Sequence, residues 1–138
     1  MNEAIIERAK AHFGKIVAEQ LNRVEAMKEA DAWIDYAALK PLVIGIIGGD
    51  GIGPYITREA KRILAFLLAE GVNRGTVRFK EIEGLTIEHR AEVMQAIPDD
   101  VLEEVKTCHV LLKGPTTTPK RGDTLPDIES ANVALRRE

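Results

Sequence analysis

A branched apolar run that ends in a cluster of glycines leaves a chain little choice of local structure. Leu42 to Ile47 form such a run, and Gly48, Gly49, Gly51 and Gly53 follow at once, interrupted by Asp50 and Ile52. Apolar on both faces, the run reads as a buried parallel strand. Glycine tolerates positive φ and close backbone approach, so the segment after it reads as a tight loop against which another group can sit. Pro54 suits the first position of a helix. Ile56, Ala60, Ile63, Leu64 and Leu67 then continue as one apolar stripe at helical spacing. Strand, glycine loop and helix together open an α/β unit.

The flanking segments extend this pattern. Before it, Glu3 to Ala30 carries apolar residues at helical intervals (Ile6, Ala9, Phe13, Ile16, Val17, Leu21, Val24, Met27) and predicts a long helix, weakened at Gly14 by about 1 kcal/mol relative to alanine. Asp31 to Lys40, with Trp33 and Tyr36, reads as a short helix or anchoring connector, and Pro41 marks the boundary with the α/β part. The chain thus divides into a helical extension, 1–40, and an α/β domain, 41–138. After the first α/β helix, Gly71 and Asn73-Arg74-Gly75 read as a C-cap and turn. Thr76 to Glu83 reads as a second strand and His109 to Leu112 as a third. Ile87 to Ala96 and a segment starting at Pro98-Asp99-Asp100 read as helices between them, and Ser130 to Glu138 as a last one. Strands separated by helices imply a parallel sheet, here partial, of about three strands with flanking helices. Ligands of such sheets bind beyond the carboxyl ends of the strands, where the glycine loop and the Lys113 to Pro119 loop both lie.

Composition removes several function classes. A net charge of -3 offers no footprint for nucleic acid. One cysteine, Cys108, excludes an internal disulfide, fits a reducing compartment and reads as a small buried residue. No apolar run reaches the roughly 20 residues of a membrane helix. Seven acidic side chains in the first 40 residues argue against a signal or transit peptide, so a cytoplasmic location is expected. His12, His89 and His109 lack metal-ligand spacing. Arg121-Gly122-Asp123 reads as a turn.

The glycine loop matches neither G-x-G-x-x-G nor G-x-x-x-x-G-K-[ST] in the right frame. It occurs, however, in a specific series: Gly49-Asp50-Gly51-Ile52-Gly53-Pro54, then Lys113-Gly114-Pro115-Thr116-Thr117-Thr118-Pro119, then Ser130-Ala131-Asn132-Val133-Ala134-Leu135-Arg136-Arg137. In this order the three strings resemble the β-decarboxylating dehydrogenases of isocitrate and isopropylmalate, over roughly Pro41 to Glu138. The second and third look like the isocitrate branch. Two departures stand out: Tyr55 occupies a position where an acidic residue is frequent, and Lys120 to Glu129 is longer and more polar than the usual link.

The resemblance implies an NAD(P)-dependent isocitrate dehydrogenase, converting isocitrate to 2-oxoglutarate with NAD or NADP and a Mg2+ or Mn2+ ion, and a homo-oligomer, namely a dimer. It makes Ser130, Asn132 and Arg136 contacts of the substrate carboxylates. It places Thr117 and Thr118 near the nicotinamide end of the cofactor, with Ile52 packing by the ring. The residue chemistry agrees: a serine at a helix start sits beside free backbone N–H groups. Asn132 and Arg136, four apart, share a helix face, and arginine binds carboxylates in bidentate fashion. On spacing alone the plainer readings hold, a cap and a solvated surface charge. The implied catalytic and metal-binding residues match no stretch of this chain, which is therefore expected to be an N-terminal segment, inactive by itself. A different class of function also fits: a non-catalytic assembly protein built from a helical arm and a remnant α/β domain.

Overall fold

Strand β1 (Leu42–Ile47) is the centre of a three-stranded parallel sheet of order β2-β1-β3, in which β2 is Val77–Ile82 and β3 is Val110–Lys113. This computed structural model of the chain describes residues 2–29, 34–120 and 122–138; Trp33 and Arg121, on which part of the connector and turn expectations rest, lie outside them. Two compact units are present, Met1–Asp35 and Tyr36–Glu138.

In the first unit, α1 (Asn2–Glu29) is stitched by ion pairs at helical spacing, Lys10 to Glu7, Lys15 to Glu19 and Lys28 to Glu25. Its apolar stripe is exposed, with Phe13 at 68% and Met27 at 67%.

In the second unit, the register fixes two faces. Leu42, Ile44 and Ile46 lie opposite Val77, Phe79 and Glu81, while Val43, Gly45 and Ile47 lie opposite Arg78, Lys80 and Ile82. Successive side chains of a strand alternate between faces. Helices α2 (Gly53–Leu67) and α3 (Ala69–Asn73) lie on the first face, where Lys61 of α2 pairs with Glu81. Helices α4 (Ile87–Val93), α5 (Asp99–Lys106) and α6 (Ala131–Arg137) complete the fold. The core gathers Ile47, Ile82, Leu85, Ile97, Val101, Ala131 and Ala134, so it joins the end of the sheet to α5 and α6.

The α/β class, the parallel sheet, the flanking helices and the N-terminal helix all agree with the sequence expectation. Several details differ. α2 buries Gly53 and Thr57, whereas Ile56, Ile63 and Leu67 of its apolar stripe are more than half exposed. Gly71 is not a C-cap but lies inside α3, where a Cβ would stand 2.9 Å from Val77 Cγ2. β3 begins one residue late: His109 N–H donates to the Val43 carbonyl, while the Val43 N–H donates to His109 Nδ1. The imidazole thus stands in for a strand carbonyl. α4 stops at Val93 because Met94 turns left-handed, at φ 55.

Candidate functional site

The loops after β1 and β3 meet at the carboxyl end of the sheet. Gly114 N–H donates to the Ile47 carbonyl at 2.8 Å, and Asp50 N–H to the Pro115 carbonyl at 2.8 Å. Three glycines make this approach possible. A Cβ at Gly49 would fall 2.1 Å from Pro115 O, one at Gly53 2.2 Å from Gly48 O, and one at Gly114 2.0 Å from Gly48 O. What sits against most of the glycine loop is therefore the threonine loop of the same chain. Gly51 differs, since a Cβ there meets nothing within 4 Å, and its φ is +58. Beside it Ile52 is 65% exposed. The loop thus has a packed inner side and an open outer one.

Two charged side chains fasten this corner. Asp50 Oδ1 accepts from Ile87 N–H, at the start of α4, at 2.8 Å, and its Oδ2 accepts from Thr117 N–H at 2.6 Å. Arg90 of α4 has no exposed surface. Its Nε donates to Ala96 O, its Nη1 to Thr117 O and its Nη2 to Glu129 O, each at 2.8 Å. Burial is the larger influence on this guanidinium and lowers its pKa, while Asp50 opposes the shift. Among the described residues no buried side-chain polar atom lacks a hydrogen bond.

Lys113 Nζ donates to Gly114 O and Thr116 Oγ1. Burial, followed by repulsion from Arg90, holds its pKa below 10.5, with Asp50 acting the other way. A lysine whose folded pKa is depressed releases its proton first from the folded state, so stability rises as pH climbs through the folded pKa towards the unfolded one. The chain should accordingly gain stability relative to Lys113→Met in thermal unfolding as pH rises on the alkaline side towards the ordinary lysine value of 10.5.

The residues named from sequence fall in two groups. Thr117 and Thr118 are exposed in the loop after β3, and Ile52 on the glycine loop. Ser130 caps α6 through its carbonyl, which accepts from Val133 and Ala134 N–H, while its hydroxyl makes no cap hydrogen bond. Ala131 and Ala134 are buried, so Asn132 and Arg136 stand together on the exposed side of α6. Arg137 is held instead by Glu129, at 2.9 and 3.0 Å. No hydrogen bond links the two groups directly among the described residues; Arg90 connects their backbones. Tyr55 points outward with Arg58 over its ring, 5.3 Å from the centroid.

Sequence reasoning missed Asp50 and Arg90. Asp50 was visible as a member of the glycine motif, with no role of its own. Arg90 reads as an ordinary helix-surface charge, because nothing in its neighbours announces three loop carbonyls converging on it.

A family model described as isocitrate/isopropylmalate dehydrogenase matches residues 43–138. The chain belongs to this family. Among curated proteins, isocitrate dehydrogenase [NADP] of Staphylococcus epidermidis is 37% identical over 97 residues, covering 70% of this chain and 22% of that protein. The protein of the same name from Caldococcus noboribetus is 38% identical over 97 residues, covering 69% and 21%. Isocitrate dehydrogenase [NAD] regulatory subunit 3, mitochondrial, of Arabidopsis thaliana is 33% identical over 98 residues, covering 71% and 22%. The chain of this family member spans about a fifth of the length of these relatives. No solved structure gives a comparable match. No helix among the described residues is long and apolar enough to cross a membrane.

Proposed function

We propose that residues 41–138 form the substrate- and nicotinamide-facing part of an NAD(P)-dependent isocitrate dehydrogenase, with 1–40 as a helical extension. In this reading Ser130, Asn132 and Arg136 bind the carboxylates of isocitrate. The Ser130 hydroxyl is left over from capping, and Arg136 stands without an ion-pair partner among the described residues, unlike Arg137. Ile52 offers exposed apolar surface to the nicotinamide ring, and Thr117 and Thr118 offer hydroxyls to its polar end. The observation that carries the reading is the pinning of Thr117 at both its N–H and its carbonyl, which presents the loop in one geometry. Hydride transfer from the C2 carbon of isocitrate is the chemistry the nicotinamide supplies when bound. The chain's residues would bind and orient the two reactants, and orientation alone lowers such a barrier substantially.

A Mg2+ or Mn2+ ion belongs to the implied reaction. Among the described residues no group of three or more His, Cys, Asp or Glu is arranged to hold a metal, so no step is assigned to an ion here. Calorimetric titration of the chain with isocitrate, with and without NADP+, tests the reading. Arg136→Ala should weaken binding by about 2 kcal/mol, roughly thirtyfold, as expected when a charge-assisted hydrogen bond is removed. Equal affinities would take Arg136 out of the site.

A second reading has its own observation. The described side chains of α1 are all exposed, its apolar stripe included, although helices in proteins draw most of their stability from packing an apolar face. A non-catalytic role in assembly, through a dimer or another partner, follows from that face, and one relative is named a regulatory subunit. Sedimentation separates the two: a stable oligomer indifferent to isocitrate favours assembly, and a monomer that binds isocitrate favours the site.

A further inference from the structure

Both backbone groups of Thr117 are held by side chains from distant segments. Its N–H is taken by Asp50 and its carbonyl by Arg90 Nη1. The same guanidinium sends Nη2 to Glu129 O, the carbonyl immediately before Ser130, and Nε to Ala96 O. A guanidinium is rigid and planar, with donors in a fixed fork. Nη1 and Nη2 hang from one carbon, so the carbonyls of Thr117 and Glu129 are set at a constant separation. Neither carbonyl belongs to a helix or a strand ladder, and each needs a partner once it faces the interior. An apolar plug of equal volume would fill the space without fixing either.

Resting on the reading of the rim proposed above, we infer that Arg90 is a positioning residue, which sets the segment carrying Ser130, Asn132 and Arg136 in register with the threonine loop. It touches neither substrate nor cofactor in this scheme. Its work is done through two backbones: one ends at the amino end of α6, and the other carries Thr117 and Thr118. Asp50 complements it by holding the opposite side of the Thr117 peptide and tying it to the start of α4. A lysine in place of Arg90 would keep the charge but reach at most a subset of the three carbonyls, since it is a point donor and lacks the fork.

Amide hydrogen exchange, followed by NMR on the 138-residue chain, separates positioning from plain stabilisation. In Arg90→Met the amides of Thr117 and Val133 should exchange at least about tenfold faster, beyond any acceleration at Ile44 and Ile46 in the central strand, because the two segments open locally. Arg90→Lys should fall between. If all four amides accelerate in step, Arg90 is only a stabilising residue and the inference is overturned. Should Arg90→Met not fold, the same comparison is made on Arg90→Lys, which keeps the charge. A titration with isocitrate adds the link to function. In the wild type the amides of Thr117, Thr118 and Asn132 should follow one binding curve. In Arg90→Met the Asn132 response should weaken while that of the loop disappears. A wild type that does not respond to isocitrate would sink the reading of the rim, and the exchange pattern would still decide whether Arg90 holds the two segments together.

Discussion

Gly114→Ala should destabilise the Tyr36–Glu138 unit by about 3 kcal/mol or more, a large share of the 5–15 kcal/mol typical of a domain. The added Cβ would stand 2.0 Å from Gly48 O and 3.1 Å from Gly53 Cα, and both of these are backbone atoms that cannot rotate away. Relief would require the loops to part, which breaks the Gly114 N–H bond to the end of β1 and loosens the Asp50 N–H bond to Pro115 beside it. Gly51→Ala supplies the contrast. Its Cβ enters open space and suffers only the left-handed φ, worth about 1 kcal/mol. Urea denaturation of the two variants should therefore give clearly different midpoints at similar slopes. Equal penalties would mean that the glycines serve chain flexibility and not the contact between the loops.

Arg90→Ala should cost about 3–5 kcal/mol, through the three carbonyls it abandons and the void it leaves. The residue is fully buried, and each of its three donor groups has an acceptor at 2.8 Å. A buried ionic group can often be exchanged for apolar residues at little cost, but that holds when every partner is replaced as well. Here the partners are main-chain carbonyls, which no substitution removes. Arg90→Met should thus recover the packing and little of the polar loss, and remain well below the wild type in chemical denaturation. A loss under about 1 kcal/mol in either variant would mean that water satisfies these carbonyls as well as the guanidinium does.

The sheet was legible because its strands are written in the plainest code available, a few apolar residues between glycines and helical stretches. The helix ends were less so. α4 was read through to Ala96 because Met94, a residue that rarely adopts positive φ, carries no warning of the turn it makes. The stripe on α2 was legible as a pattern but misleading as to burial. The helix turns Thr57 and Lys61 to the sheet, and Ile56, Ile63 and Leu67 stay exposed. Of the proposed site residues, the threonines, Ser130, Asn132 and Arg136 could be named from their motifs. Asp50 and Arg90 could not be assigned roles, because most of their partners are distant backbone groups, 37 and 67 positions away for Asp50 and 27 and 39 for Arg90, whose third partner, Ala96, is 6 away. Sequence shows chemistry that lies along the chain far better than chemistry brought together by the fold.

The central place of β1 also governs how the molecule comes into being. Its rungs with β2 join residues such as Leu42 and Val77, 35 apart, and its rungs with β3 join residues such as Ile44 and Val110, 66 apart. Such distant pairings close large loops and slow the search for the native state. While a ribosome makes the chain, the first strand must wait, greasy and unpaired, until β2 emerges, and longer still for β3. In that interval its apolar side chains and unpaired edges are open to association with other chains, the hazard that chaperones limit.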